Sequence, residues 1–254
     1  MAEASGDDSL RQVARDVEAP GTSVPFGVYM WRSSDPGAQL ARHVEQLVFL
    51  ETFGNTAELL AKEYGPYDDA SIFLCVVDHL RALPAGVMRI IRPSTAGFKT
   101  MHDVEPVWGE PMATMAARTG LCIDPSRTWD IATLAVAPEY RGKATMGLVS
   151  MGLYQGLALA APRCGIEWLV AVLDMPVLRM IRWKLRMPMA GFSGVAPRPY
   201  LGSAASLPVW CNVADTERRI ATTDPDVHAL YFQGAGMEMA VRPLDVDAAA
   251  QVVG

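Results

Sequence analysis

The sequence predicts a single α/β domain, built as one mixed sheet with helices on both faces. Apolar runs of strand length alternate with segments of helical periodicity along most of the chain. With 254 residues, 50% of them hydrophobic and 20% charged, the chain is long enough to form one sizeable core. No internal repeat, low-complexity segment or interdomain linker divides it. We therefore predict one domain over residues 23–254.

The first part of the chain contains an arm, a strand and two helices. Residues 1–22 are polar and acidic and have little to bury, so we predict a mobile N-terminal arm. Residues 24–31 have strand composition. The segment 34–36, Ser-Asp-Pro, provides an N-cap and then a proline at the first helical position, and apolar spacing predicts a helix over 36–52. A shorter helix runs to about Tyr64.

Two strands and a central strand–turn–helix follow. Residues 72–77 are continuously apolar, which is typical of a buried strand, and a second strand covers 87–91. A loop and a short helix around 97–104 lead to a central strand over 129–137. We expect a turn at 138–142 and a helix that begins near Lys143. This helix should pack against the sheet, because no residue from 144 to 162 is charged.

The remaining elements are predicted from composition. We expect a strand at 166–173, a basic amphipathic helix at 175–186, a loop at 191–199, and closing strands at 207–213 and about 229–241.

Charge and composition exclude several classes of protein. The net charge of −6 argues against a nucleic-acid partner, which would require a basic face. The four cysteines lie far apart with no CxxC spacing, which favours free thiols in a reducing compartment. The N-terminus lacks a signal pattern. The uncharged run contains several Gly, Ser, Tyr and Gln residues, which favours a buried helix over a membrane span. We therefore expect a cytoplasmic protein.

The four histidines are scattered without metal-ligand spacing, so we expect no metal.

The turn after the central strand has the properties of an anion site. A strand that runs through Arg141, Gly142 and Lys143 into a helix directs backbone N–H groups outward, and the helix dipole adds about half a positive charge. The two basic side chains strengthen the same field.

The segment 136–144, Val-Ala-Pro-Glu-Tyr-Arg-Gly-Lys-Ala, resembles the pyrophosphate-binding segment of the GCN5-related N-acetyltransferase (GNAT) superfamily. That pattern is Arg/Gln-x-x-Gly-x-Gly/Ala. Arg141 fits the first position, whereas Ala144 and Met146 replace the two glycines. The resemblance implies a mixed, mostly antiparallel sheet flanked by helices. It also implies a coenzyme A or phosphopantetheine thioester as co-substrate, held by Arg141, Gly142, Lys143 and Ala144.

Further segments between residues 40 and 215 resemble the acyl-homoserine-lactone synthases and the long-chain N-acyl amino acid synthases. They are Val48-Phe49, the aspartate loop Tyr67-Asp68-Asp69, Gly86-Val-Met-Arg89 and Trp129-Asp130-Ile-Ala-Thr133-Leu-Ala-Val136. Asp130 stands where the family has Glu, and Thr133 stands where it has Arg. The usual Arg of the first helix has no secure counterpart, although Arg42 is near.

The resemblance implies roles for these residues. Asp130 and Thr133 would be catalytic, with Asp130 accepting the amine proton; alternatively, Asp130 pairs with an arginine or caps a loop. The N–H groups of Leu134, Ala135 and Val136 would hold the thioester oxygen.

The acceptor would contact Asp68, Asp69, Arg89 and Trp129. Asp68 and Asp69 could instead serve as turn residues. Arg89 could instead form a salt bridge to Asp130 or Asp69.

The predicted function is transfer of an acyl group from acyl-coenzyme A or an acyl carrier protein to the amine of an amino acid or similar small metabolite. Trp183 falls where many acetyltransferases have a tyrosine that protonates the thiolate, and an indole cannot do so. A non-catalytic binding module, or an enzyme that hydrolyses or decarboxylates a carrier-bound chain, is therefore the alternative.

The basic residues of 175–186 could dock an acidic carrier protein or the adenosine phosphate of coenzyme A, or form a solvated helix face.

Overall fold

The structure is a computed structural model that describes residues 2–17 and 24–253, with side chains from residue 8 onward. The described helices are α1 Ala2–Asp16, α2 Ala38–Phe53, α3 Ala57–Tyr64, α4 Lys99–Trp108, α5 Met112–Arg118, α6 Leu148–Arg163, α7 Met175–Trp183, α8 Val213–Thr223, α9 Pro225–Phe232 and α10 Val246–Val253. The strands are β1 Phe26–Arg32, β2 Ser71–Asp78, β3 Leu83–Ile91, β4 Thr128–Val136, β5 Trp168–Asp174, β6 Ala190–Gly191, β7 Arg198–Tyr200, β8 Ser203–Asn212 and β9 Val241–Arg242.

All nine strands belong to one sheet in the order β6-β8-β5-β4-β3-β2-β1-β9, with β7 paired beside β8. The β4–β5 and β1–β9 pairs are parallel and the other pairs are antiparallel. The predicted α/β domain with a mixed, mostly antiparallel sheet flanked by helices is therefore confirmed.

Helices α2 and α6 cover the middle of the sheet. α2 packs on β3 and β4, whereas α6 packs on β1, β2 and β3. Two glycines let α6 approach closely: a Cβ on Gly156 would lie 3.0 Å from Leu74 Cδ2, and one on Gly152 would lie 3.3 Å from Val28 Cγ2. The uncharged segment thus packs against the sheet as predicted. Within the two described ranges, no helix combines the length and the apolar character needed to cross a membrane.

The central strands β4 and β5 pair only over their first residues. Residues 128–130 pair with 168–170, after which β4 continues against β3 alone and β5 against β8 alone. The two strands therefore separate toward their carboxyl ends. β4 also contains a β-bulge, because Ile131 faces Ile90 and Thr133 faces Arg89, which leaves Ala132 as the extra residue.

The start of α6 differs from the prediction. The helix begins at Leu148 rather than near Lys143, because three residues adopt positive φ before it: Gly142 at +64°, Met146 at +50° and Gly147 at +85°. Left-handed residues interrupt a right-handed helix. Two short 3₁₀ turns, Pro138–Tyr140 and Gly142–Ala144, occupy the intervening segment.

The two ends of the chain also differ from the prediction. The segment 1–22, predicted to have little to bury, contains α1, whose Ala14 lies in the main core; residues 18–23 lie outside the described residues. Near the other end, the predicted strand 229–241 begins inside α9, which is capped by Asp224 and ends at Phe232. Only Val241–Arg242 is strand.

Candidate active site

A cavity of about 100 Å³ opens where β4 and β5 separate. Residues 131–134 of β4 and 172–174 of β5 form its two sides, and Phe49 and Phe53 of α2 add apolar surface. Five hydroxyl side chains also line it, those of Tyr64, Thr133, Tyr200, Ser203 and Ser206. The cavity, called the cleft below, is thus mostly apolar with a few polar groups, as is usual for small-molecule sites.

The β4 side of the cleft carries free backbone groups. Ala137 N donates to Ala85 O of β3 over 2.9 Å. Because successive residues of an antiparallel strand direct their N–H groups to opposite sides, Ala135 also faces β3, whereas Leu134 and Val136 face the cleft. Arg141 Nε donates to Val136 O over 2.8 Å, which agrees with this orientation. Of the three predicted backbone donors, the inclusion of Ala135 is therefore wrong.

The basic turn continues from this edge of β4. The four residues predicted to hold the carrier phosphates, Arg141, Gly142, Lys143 and Ala144, are all exposed. α6 then begins with Gly147 as a cap that offers no side-chain hydrogen bond. Leu148 N donates to Thr145 O over 3.0 Å, so the N–H groups of Val149 and Ser150 are the ones available to an anion. The arrangement can bind a phosphate group next to the cleft.

A buried ion pair lies on the α2 side of β4. Arg89 Nε and Nη2 donate to the two carboxylate oxygens of Glu45 over 3.0 and 2.6 Å, and the two side chains are 5% and 2% exposed. Thr133 Oγ1 donates to Glu45 Oε1 over 2.5 Å. Burial alone would lower the pKa of Arg89, but the Glu45 carboxylate outweighs it and raises that pKa above its usual value. Three hydrogen-bond donors therefore point at the Glu45 carboxylate.

The ion pair extends to Asp68. Arg89 Nη1 lies 3.3 Å and Arg42 Nη2 lies 2.9 Å from its carboxylate, and Ser33 Oγ donates to it over 2.5 Å. Partial burial acts to raise the pKa of Asp68, but the hydrogen bonds from Ser33 and Arg42 outweigh it, so this pKa lies below its usual value. Asp68 and Arg89 are therefore brought together as the resemblance implied, whereas Asp69 is exposed and outside this network.

A second cavity, called the polar recess below, adjoins this network. It has a volume of about 290 Å³ and is lined by Arg42, Glu45, Asp68, Arg89 and Tyr64, together with residues of α3. Tyr64 lines the polar recess and the cleft alike, so its side chain forms part of the wall between them. A ligand with charged groups can occupy the recess beside an apolar ligand in the cleft.

Asp130 caps a helix. Its Oδ2 accepts a hydrogen bond from Thr100 N over 2.8 Å and its Oδ1 accepts one from Thr100 Oγ1 over 2.6 Å, at the first turn of α4. The side chain is fully buried and does not line the cleft. These contacts support the capping alternative over the role of proton acceptor, and they do not include the salt bridge to Arg89 considered above.

Trp129 is also fully buried and does not line the cleft or the polar recess. Because successive strand residues alternate between faces, this one points into the core, and its contact with the acceptor stays a prediction. Its Nε1 has no hydrogen-bond partner among the described residues.

The Asp130→Asn variant is expected to change how stability depends on pH. Burial raises the pKa of Asp130 from 3.8 to about 6. Its contribution to stability is complete below pH 3.8 and is lost as the pH rises through 6, by about 3 kcal/mol in all. An asparagine keeps both bonds to Thr100 and does not titrate. Denaturant unfolding should therefore show the variant gaining stability over the wild type between about pH 4 and pH 7. A difference in the free energy of unfolding that does not change with pH would contradict the raised pKa of Asp130.

Glu45 is the main functional residue that the sequence analysis missed. It lies on the buried face of α2, between Ala41 and Val48. A charged residue on an otherwise apolar helix face is a signal of a buried polar partner. Its partner Arg89 is far away in the sequence, so the signal does not reveal which residue it contacts.

The basic segment of α7 belongs to another surface. Arg182 and Arg186 line a groove of about 700 Å³ that shares no lining residue with the cleft. Arg186 pairs with Asp224 over 3.3 Å, and Arg182 Nε donates to Met189 O. Trp183 is 79% exposed on the same groove. Residue 183 therefore supplies no group to the cleft.

The chain resembles solved structures of acyltransferases. No family model matches the sequence, and no curated protein matches it at a significant level. BjaI, a CoA-dependent acyl-homoserine lactone synthase solved with SAM and isopentyl-CoA, superposes with a TM-score of 0.55 at 15% identity, over 89% of this chain and 97% of BjaI. FeeM, an N-acyl amino acid synthase from uncultured soil microbes, superposes with a TM-score of 0.57 at 12% identity, over 80% of this chain and 99% of FeeM. The chain therefore has the GNAT-like fold that the resemblance implied.

Proposed function

We propose that the protein is an N-acyltransferase that moves an acyl group from a thioester to the amine of an amino acid or similar small metabolite. The observation that carries the proposal is the pair of adjoining cavities: an apolar cleft between separated strands and a charged polar recess, divided by Tyr64. Acyl transfer needs these two environments next to each other, because one substrate is largely apolar and the other carries an ammonium group. The fold shared with BjaI and FeeM agrees with this chemistry.

The donor occupies the cleft and the basic turn. Its acyl group lies among the apolar side chains, and its pantetheine arm follows the free edge of β4 toward Arg141 and Lys143, which hold a phosphate. The thioester oxygen accepts a hydrogen bond from Leu134 N or Val136 N as negative charge develops on it. Coenzyme A and the phosphopantetheine of an acyl carrier protein share this chemistry, and both are candidate donors.

The acceptor binds in the polar recess with its ammonium group directed toward Thr133. The hydroxyl proton of Thr133 is donated to Glu45, so the hydroxyl oxygen remains free to accept a proton from the amine. The proton of the amine then passes to Thr133 as the hydroxyl proton passes to Glu45. Asp68 and Arg42 provide charges of both signs for the rest of the molecule.

The Thr133→Val variant tests the proposal. It keeps the shape of the side chain and removes the hydroxyl, so we expect kcat to fall about 10²-fold, whereas Thr133→Ser keeps most of the activity. The assay incubates acyl-coenzyme A thioesters of several chain lengths with pooled amino acids, and follows thiol release and N-acyl products by mass spectrometry.

The outcomes of this assay separate the candidate functions. Product formation by the wild type that is lost in Thr133→Val supports the proposal. Thiol release without added amine would indicate hydrolysis instead. Binding of a thioester without turnover, including a thioester on a carrier protein, would indicate a non-catalytic module.

A further inference from the structure

Three hydroxyl–carboxylate pairs border the cleft, and the chemistry described above uses only one of them. Besides the two described next, Ser203 Oγ donates to Asp174 Oδ1 over 2.5 Å, and both of these residues line the cavity. Thr133 and Glu45 form the first pair. Tyr200 forms the second: it lines the same cavity, and its hydroxyl donates to Asp103 Oδ2. Because the hydroxyl proton is engaged by the carboxylate, the phenol oxygen remains a hydrogen-bond acceptor for a ligand.

The carboxylate of Asp103 is held by a buried lysine. Lys99 Nζ lies 2.6 Å from Asp103 Oδ2 and 2.5 Å from Glu63 Oε2, and the Lys99 side chain is only 4% exposed. The Lys99 ammonium group therefore lies between two carboxylates and holds that of Asp103 in place beside the Tyr200 hydroxyl. Burial and then the charge of Asp103 raise the pKa of Tyr200 well above its usual value. The phenol therefore stays neutral, which suits a group that passes a proton on.

The backbone around Tyr200 is strained and anchored. Tyr200 pairs with Ser203 across a two-residue hairpin, in which Leu201 has a φ of +44° and Gly202 a φ of +85°. A leucine in this region is strained, because its Cβ lies too close to the following carbonyl oxygen. Asn55 Nδ2 donates to Leu201 O over 3.2 Å, and a Cβ on Gly202 would lie 2.9 Å from Phe53 O. Strain that the surroundings maintain is concentrated at functional positions.

The proposed reaction needs a second proton acceptor. A primary ammonium loses one proton before it attacks the thioester and another as the tetrahedral intermediate collapses to an amide. We infer that Tyr200 is a further catalytic residue of this reaction, which accepts the second proton of the acceptor nitrogen as its own hydroxyl proton passes to Asp103. The inference rests on the proposed function and adds to it a residue that lies outside the Thr133–Glu45 pair.

The step is balanced in atoms and charge. The N–C bond forms and the C–S bond breaks, and the electron pair of that bond stays on sulfur. The nitrogen loses two protons. One passes through Tyr200 to Asp103 and then returns through Tyr200 to the thiolate. The other passes through Thr133 to Glu45 and from there to solvent. The sum is an ammonium and a thioester converted to an amide, a thiol and one proton.

The experiment compares Tyr200→Phe with a matched control, Tyr67→Phe. The Tyr67 hydroxyl also contacts a residue of α4, His102, at 2.7 Å, but Tyr67 does not line the cleft. With the acyl-coenzyme A and amine pair identified in the assay above, Tyr200→Phe should lower kcat by about 10–10²-fold with KM within about twofold, whereas Tyr67→Phe should match the wild type.

Asp103→Asn adds a test of the relay. It should lower kcat to a similar extent, and the double variant with Tyr200→Phe should lose no more than either single variant, because the two residues act as one unit. Thermal unfolding identifies any variant that is destabilised, and a destabilised Tyr200 variant leaves Asp103→Asn to decide. Wild-type kcat in Tyr200→Phe, or losses that multiply in the double variant, would overturn the inference. A wild type without turnover would overturn the proposed function itself, whereas a Thr133 effect without a Tyr200 effect would overturn this inference alone.

Discussion

Replacing Glu45 by Met is expected to lower the free energy of unfolding by about 3–5 kcal/mol, because it leaves the buried guanidinium of Arg89 without its main partner. Asp68 replaces only part of the lost interaction, since it lies 3.3 Å from one Arg89 nitrogen and is half-exposed. Acyl transfer should also be lost, because Thr133 no longer has a proton acceptor. Denaturant unfolding and the acyl-transfer assay measure the two effects.

The double variant Glu45→Met/Arg89→Met is expected to recover much of the lost stability while remaining inactive. It removes both buried charges, and apolar side chains of similar size can fill the space. Glu51→Met serves as a control on the same helix; Glu51 is exposed, so its replacement should change stability by no more than about 0.5 kcal/mol. A double variant that is less stable than Glu45→Met would contradict this expectation. It would show that the attraction between Glu45 and Arg89 exceeds the free-energy cost of burying their two charges.

Replacing Trp129 by Ala is expected to lower the free energy of unfolding by about 3–5 kcal/mol, because it opens a large cavity in the core. Trp129→Phe should cost much less, since it keeps most of the volume and removes an indole N–H that has no partner. The Phe variant should also retain acyl-transfer activity. A stable Trp129→Phe protein with no activity would place this residue at the substrate after all.

The central part of the fold could be predicted from the sequence because its signals are local. The apolar runs that became β2 to β5 and the uncharged run that became α6 each carry their own pattern. The closing region carries weaker signals. The predicted strand at about 229–241 begins in apolar residues that belong to α9. Asp224 caps this helix by accepting a hydrogen bond from Val227 N, a contact that the sequence pattern does not reveal.

The site could be predicted in its segments but not in its side-chain roles. The resemblance of successive segments to the lactone synthases pointed to Thr133, Asp68 and Arg89. In the structure Thr133 lines the cleft, and Asp68 and Arg89 line the polar recess. Which face a strand residue occupies depends on register, and the bulge at Ala132 shifts that register by one residue. Thr133 pairs with Arg89 and Asp130 pairs with Ile91, so the bulge places both side chains on the same face of the sheet. Asp130 lies nearer the start of β4, where its carboxylate reaches α4 rather than the cleft.

The three residue pairs that join β4 to β5 have a mechanical consequence. Within residues 2–17 and 24–253, they are the only ladder between the half of the sheet formed by β9 and β1 to β4 and the half formed by β5 to β8. A small rotation about this short seam changes the spacing of the free strand ends without breaking any other strand pairing. The width of the opening is therefore governed by side chains and helices packed across it, such as Phe53 and the hairpin after Tyr200, rather than by the sheet.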